Sequence, residues 1–221
     1  MAIVFDLGGV VFKWKPLELL QAIFPERAPD KVAAQKWADQ IFESFNPLSD
    51  WAQFDLGLIE PDALATKISK RVGIPEADMH LLIASIPPHM VPQKGTVEII
   101  SDLKAAGHPL YFLSNMPAGY ADHLERTNDF FRYFSDGIFS ARIQQIKPQL
   151  PIFQSANQRF GVSGKDTVFI DDVQQSGKDT VFIDDVQHNI DAAHAHGWTG
   201  LRFDEPAQVR RDLVAMGLLQ A

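Results

Sequence analysis

SGKDTVFIDDVQQSGKDTVFIDDVQ, residues 163 to 187, spells one twelve-residue phrase twice, thirteen positions apart, and each copy runs an apolar Val-Phe-Ile into two adjacent aspartates. A short apolar run between polar turn residues reads as a strand buried on both faces, the kind found in parallel sheets. Paired carboxylates at the end of such a strand suggest a cation or phosphate site. Either copy offers the sheet the same side chains on the same faces, so pairing alone does not choose between Asp171-Asp172 and Asp184-Asp185. The surplus thirteen residues separate the two cases. With the second copy in the sheet they lengthen the loop after a helix at 150–160, at a closure cost of about 1 kcal/mol or less. With the first copy in the sheet they part the aspartates from Asn189, four residues after Asp185, and from the helix that follows. The spacing therefore predicts Asp184 and Asp185 as the functional pair and the first copy as an insertion. Two copies are too few for a repeat architecture.

Working outward, Ala2 to Phe5 is a second continuous apolar run, stopped by Asp6 and Gly8-Gly9, and reads as a central strand ending in a tight loop. From Pro16 to about Met90 the texture is helical, with LELLQAIF, DKVAAQKWADQIFESF, PDALATKISKRVG and EADMHLLIASI carrying apolar residues at three and four spacing between Pro, Gly and Asn breaks. After VPQKG, helices alternate with strands: helix 95–106 before strand 108–113, helix 119–134 before a strand near 137–139, helix 150–160 before VFIDD, helix 188–196 before strand 199–203, and a closing helix. This alternation predicts α/β architecture, a doubly wound parallel sheet with an inserted helical unit. The expected division is 1–13 with 93–221 as the core and 14–92 as the insert. Ligands of such sheets bind beyond the carboxyl ends of the strands, where Asp6, Ser114-Asn115 and the VFIDD aspartates converge.

Bulk properties agree with a small-molecule site. At 221 residues and 46% apolar content the chain can bury a full core. A net charge of -8 and a pI near 5.3 exclude the basic face that nucleic acid or an anionic membrane surface requires. There are no cysteines, so disulfides, thiolate nucleophiles and thiolate-bound zinc are excluded, which fits a cytoplasmic protein. No apolar run reaches the roughly 18 residues of a membrane span. His188, His194 and His196 are spaced six and two apart, not on one helical face, and read as helix surface rather than zinc ligands.

Taken in order, FDLGGVV (5–11), YFLSN (111–115), IKPQLPIF (146–153) and VFIDDVQHN (181–189) resemble the four motifs of the haloacid dehalogenase (HAD) superfamily, and the insert resembles its helical cap. The resemblance implies a Rossmannoid HAD-like core and a magnesium-dependent phosphatase. Asp6 would be the nucleophile, forming an aspartyl-phosphate. Magnesium would be held by Asp6, the main-chain carbonyl of Gly8, and Asp184 and Asp185. Ser114 and Asn115 would meet phosphate oxygens, and Lys147 would steady both nucleophile and phosphate. The physical chemistry agrees, because two anions approach each other only with positive charge between them and magnesium needs few carboxylates. The expected partner is a small phosphorylated metabolite, a sugar phosphate, taken by a monomer or weak homodimer.

The match departs at Gly8, where most phosphatases of this superfamily carry the acid that protonates the leaving group. In DLGG and in the stretch Trp51 to Gly57 the chain is similar to a small-cap subgroup that includes a glucose-1-phosphate phosphatase. A 2-haloacid dehalogenase and a non-catalytic phosphate-binding relative are the alternative readings. The missing acid predicts a preference for good leaving groups. Phe54-Asp55-Leu56-Gly57 repeats Phe5-Asp6-Leu7-Gly8 letter for letter, but no apolar strand precedes it, so Asp55 reads as a non-catalytic loop residue of the insert. Lys13, Trp14 and Lys15 would enter the hinge of the insert, and Asn189 would orient Lys147 or a metal-bound water.

Overall fold

The computed structural model describes residues 1–43, 46, 48–162 and 180–220, Thr180 by its backbone alone. Asp171 and Asp172, with the whole first copy of the repeat, lie outside the described residues.

Strand β1 (Ala2–Phe5) is buried at every position, as its unbroken apolar run requires. It lies between β2 (Leu110–Ser114) and β4 (Thr180–Asp184), with β3 (Asp136–Phe139) and β5 (Thr199–Arg202) at the edges; the order is β3-β2-β1-β4-β5. Every pairing is parallel, with Phe5 opposite Phe112 on one side and Ile183 on the other. It is the second copy of VFIDD that fills the sheet. Side chains alternate across the pleat. Ile3, Phe5, Val181 and Ile183 face one apolar layer, while Val4, Leu113 and Phe182 face the other with Phe153 and Trp198.

Between β1 and α6 (Lys94–Ala105) the described residues form α1 (Pro16–Ile23), α2 (Lys31–Phe42), α3 (Asp50–Asp55), α4 (Pro61–Val72) and α5 (Glu76–His89). Proline at the first turn of α1 and α4 sits where its missing N–H costs nothing. Side-chain caps start α2 and α3: Asp30 accepts from Ala33 N at 2.8 Å, and Ser49 accepts from Ala52 N at 3.0 Å. The stretch expected to be a loop around Asp55 is therefore helix. Aromatic contacts among the described residues explain why six residues suffice: Trp51 packs edge-on to Phe42 (4.6 Å) and Phe54 (5.8 Å), and Phe54 packs edge-on to Tyr120 (5.5 Å).

Beyond β2 the structure holds α7 (Ala118–Thr127), α8 (Ser140–Ile143), α9 (Leu150–Phe160), α10 (Gln187–Ala195) and α11 (Pro206–Ala215). The single helix expected over 119–134 stops at Thr127. Asn128 is extended and its amide donates to Leu124 O at 2.9 Å, and a 3₁₀ turn follows over Asp129–Tyr133. That turn lays Phe130 and Phe131 against Phe12 at 5.6 and 6.2 Å, contacts an uninterrupted helix would not make. Among the described residues, no helix is long and apolar enough to cross a membrane.

Candidate active site

Asp6 leaves the end of β1 with its backbone N–H donating to Ile183 O at 2.8 Å, so the first residue past one strand is fixed by its neighbour. Asp184 closes β4 beside it. Lys147 enters from the loop before α9 and bridges the two: its Nζ is 3.0 Å from Asp6 Oδ1 and 2.5 Å from Asp184 Oδ2, with all three side chains nearly inaccessible. Asp184 also accepts from Val186 N at 2.8 Å and from the Asn189 amide at 3.2 and 3.1 Å. Asn189 thus holds Asp184 and makes no hydrogen bond to Lys147 among the described residues.

Asp185 points toward the turn after β1. A Cβ on Gly9, whose φ is +80°, would fall 2.1 Å from Asp185 Oδ2, so both the turn and the carboxylate require glycine there. One oxygen from each of Asp6, Asp184 and Asp185 lies within 4.8 Å of the others. Three carboxylates share one lysine, and the crowding shows in the proton affinity of Asp6 and Asp185. Burial, opposed by Lys147 and reinforced by Asp184, pushes Asp6 up to about 6. Burial, then repulsion from Asp6 and Asp184, pushes Asp185 up to about 7. Burial alone would lower Lys147, but the ion pairs with Asp184 and Asp6 outweigh it and its pKa is raised. Asp6 Oδ1 is buried and, despite its proximity to Lys147, has no aligned hydrogen-bond donor. A hard divalent cation fits this set, supplying the charge the cluster lacks to an oxygen that has no donor.

The cluster opens into a cavity of about 360 Å³, within the range of small-ligand sites. Asp6, Gly8, Ser114, Asn115, Lys147 and Asp185 line its floor, so the four sequence motifs meet at one place. Both ends of the Asn115 amide are engaged with Lys147. Its Oδ1 accepts from Lys147 N at 2.9 Å and its Nδ2 donates to Lys147 O at 3.0 Å, so the amide clamps the lysine's backbone. The opposite wall is largely apolar and comes from the insert and its neighbours, including Trp14, Trp51, Ile86, Met90, Met116 and Tyr120. Lys13 and Lys15 are not among the lining residues. Lys13 N donates to Val91 O, and Lys15 pairs with Glu18 on the surface. Of the histidines, His188 reaches the wall, whereas His196 lies beside Asn157 (2.8 Å) and Phe153.

Asp55, expected in a loop of the insert, ends helix α3 instead. It lines the same cavity, and burial, with repulsion from Asp6, pushes it up to about 8. The signal available was the letter-for-letter copy of Phe5–Gly8; what hid it was the lack of a strand in front.

A protein-family model described as haloacid dehalogenase-like hydrolase matches residues 1–174, a span that ends on Gln174, the last residue of the first copy of the twelve-residue phrase. A sesquiterpene phosphatase from Aspergillus oryzae is 25% identical over 205 residues, covering 92% of this chain and 90% of the relative. A HAD family enzyme of Bacteroides thetaiotaomicron, solved with magnesium and inorganic phosphate, superposes with a TM-score of 0.63 at 19% identity, covering 92% of this chain and 93% of its own. L-2-haloacid dehalogenase from Xanthobacter autotrophicus, with chloropropionic acid covalently bound, gives 0.62 at 16% identity over 97% and 82%. With the family match spanning most of its length, and strands, motifs and buried carboxylates in that order, the chain belongs to the haloacid dehalogenase-like hydrolases.

Proposed function

We propose that this hydrolase is a magnesium-dependent phosphatase that cleaves a small phosphate monoester through an aspartyl-phosphate on Asp6. The observation that supports this best is the Asp6–Lys147–Asp184 cluster, with Asp185 beside it, at the floor of one cavity that Ser114 also lines. Residues 14–92 act as the cap over that floor. Asp6, Asp184, Asp185 and the Gly8 carbonyl would hold magnesium, which would supply the positive charge that offsets the carboxylates and the phosphate. Asp6 attacks phosphorus through a carboxylate oxygen as the ester oxygen departs on the far side. Lys147 keeps Asp6 ionised and meets the phosphate's negative charge. Asn115, by clamping the Lys147 backbone, fixes where that charge sits. Ser114 donates its hydroxyl to a phosphate oxygen.

The wall opposite the phosphate bears on the substrate. A sugar phosphate, the sequence-based expectation, would call for several hydroxyl-binding side chains. Trp14, Trp51, Ile86 and Met90 suit an apolar alcohol, and the sesquiterpene phosphatase likeness agrees. Burying one side-chain-sized apolar group is worth about 1.5–3 kcal/mol, or roughly ten- to a hundredfold in kcat/KM. A panel of terpenyl, sugar and nucleoside monophosphates assayed with magnesium should favour terpenyl esters by that factor. Preference for a sugar phosphate would return the substrate to the polar class, and turnover of 2-chloropropionate in place of all phosphates would make the enzyme a dehalogenase.

The carboxylates also set a pH dependence. In the metal-free protein Asp6 and Asp185 titrate above their ordinary 3.8. Between pH 4 and 7 the folded protein therefore keeps protons that the unfolded chain has released, and stability falls as pH rises through that window. Thermal unfolding in chelator should show a lower Tm at pH 7.5 than at pH 5. Magnesium at a hundred times its Kd should add about 2.7 kcal/mol at the higher pH. A Tm that rises with pH in chelator would contradict the assigned carboxylate cluster.

A further inference from the structure

An alcohol leaving a phosphate ester departs as an alkoxide unless it is given a proton, and residue 8, which would be placed to give it, is glycine. Packing does not impose this glycine, since a Cβ there would meet nothing within 4 Å. Asp55 stands on the same cavity from the insert's side, as the last residue of α3. Its carboxyl has no hydrogen bond or ion pair among the described residues; burial and the field of Asp6 are what act on it. Its backbone, by contrast, is pinned to the core. Ser140 Oγ donates to Asp55 O at 2.5 Å and accepts from Met116 N at 2.8 Å, one residue past the Ser114-Asn115 motif. Gly57, at φ +69°, brings the following turn so close to α8 that a Cβ would lie 3.0 Å from Ala141 O. Phe54 wedges against Tyr120 on the neighbouring helix. An unpartnered carboxyl on a fixed backbone, lining the same substrate-sized cavity as the nucleophile, is placed for proton transfer.

We propose that Asp55 is the general acid and base of this phosphatase, replacing from the cap the acid absent at residue 8. The proposal rests on the phosphatase reading. In the first step an Asp6 oxygen bonds to phosphorus, the ester P–O bond breaks, and the Asp55 proton goes to the departing oxygen, giving the neutral alcohol and Asp55 carboxylate. In the second, Asp55 takes a proton from water as the water oxygen bonds to phosphorus. The Asp6–phosphorus bond breaks, releasing inorganic phosphate and restoring both aspartates. Burial supports the first step, because an acid pushed up to about 8 still holds its proton at neutral pH.

The test is D55N, loaded with magnesium and assayed in single turnover on two esters from one preparation: 4-nitrophenyl phosphate, whose phenolate leaves unaided, and a simple alkyl phosphate. The rate on the alkyl ester should fall by about 10² to 10⁴, and that on the nitrophenyl ester by less than about tenfold. A partly misfolded variant lowers both rates by one factor, so the ratio of the two does not depend on the active fraction. Equal losses on both esters, or no loss on either, would overturn the assignment of Asp55 and leave the phosphatase reading intact. A wild-type protein that cleaves neither ester would overturn the phosphatase reading and the proposal with it.

Discussion

Asp6→Asn is expected to lower magnesium-dependent phosphate release by on the order of 10⁴ or more while leaving the fold intact, the scale on which removal of a covalent nucleophile is felt. The substitution is nearly isosteric, and the backbone that positions residue 6 is held by Ile183 O at 2.8 Å regardless of the side chain. Lys147 keeps Asp184 as an ion partner at 2.5 Å. Losing the charge on Asp6 also relieves the repulsion that raises Asp185. The Tm of Asp6→Asn in chelator at neutral pH should therefore equal or exceed that of the wild type. Steady-state phosphate release and thermal unfolding on the same samples check both statements. Residual activity above a few per cent would exclude Asp6 as nucleophile.

The second large effect concerns the repeat. Asp184→Ala with Asp185→Ala should eliminate magnesium-dependent turnover, whereas Asp171→Ala with Asp172→Ala should leave it within about twofold, as expected if the second copy alone serves the site. The structure seats the second copy in the sheet, and Asp184 there satisfies Lys147, Val186 N and Asn189 together. Removing it takes from the buried Lys147 ammonium one of its two carboxylate partners and leaves Asn189 and Val186 N without their acceptor, so the first variant should also lose about 3–5 kcal/mol of stability. Because that loss could abolish activity by itself, Asp185→Asn provides the milder comparison. Among the described residues Asp185 is held by no comparable set of partners, so this variant should keep the fold and weaken magnesium binding. The family match, which runs through the first copy and stops at residue 174, gives the control pair its force. Loss of activity in Asp171→Ala with Asp172→Ala would move the metal site to the first copy.

Much of this site was legible because its residues sit at the ends of apolar runs. Ala2–Phe5 and Val181–Ile183 announce buried strands by unbroken hydrophobicity, and the residues that stop them, Asp6 and Asp184-Asp185, are the ones that meet. Asn189 was legible as a partner by its spacing, but whether it served Lys147 or Asp184 depended on side-chain direction, which spacing does not fix. Asn115 shows the same limit, since the sequence marks an amide at a strand end but not that both of its ends are taken by Lys147's backbone. Asp55 was hidden for a different reason. It reaches the cavity only because Ser140 and Ala141, some 85 residues later in sequence, hold α3 against the core, a tertiary contact with no local pattern. The helix expected over 119–134 failed likewise, because Phe130 and Phe131 are drawn to Phe12 from another part of the chain.

The central claim is that a covalent phosphoryl-enzyme forms on Asp6. Its most direct measurement is rapid quenching of the magnesium-loaded wild-type enzyme with a phosphorus-labelled monoester, followed by peptide mapping of the acid-denatured protein. The label should appear on the peptide containing Asp6 within the first turnover, decay as inorganic phosphate accumulates, and be absent from Asp6→Asn. Labelled phosphate released with no phosphoryl-enzyme at any quench time, although chemistry precedes a slower hydrolysis, or label carried by a residue other than Asp6, would contradict the account.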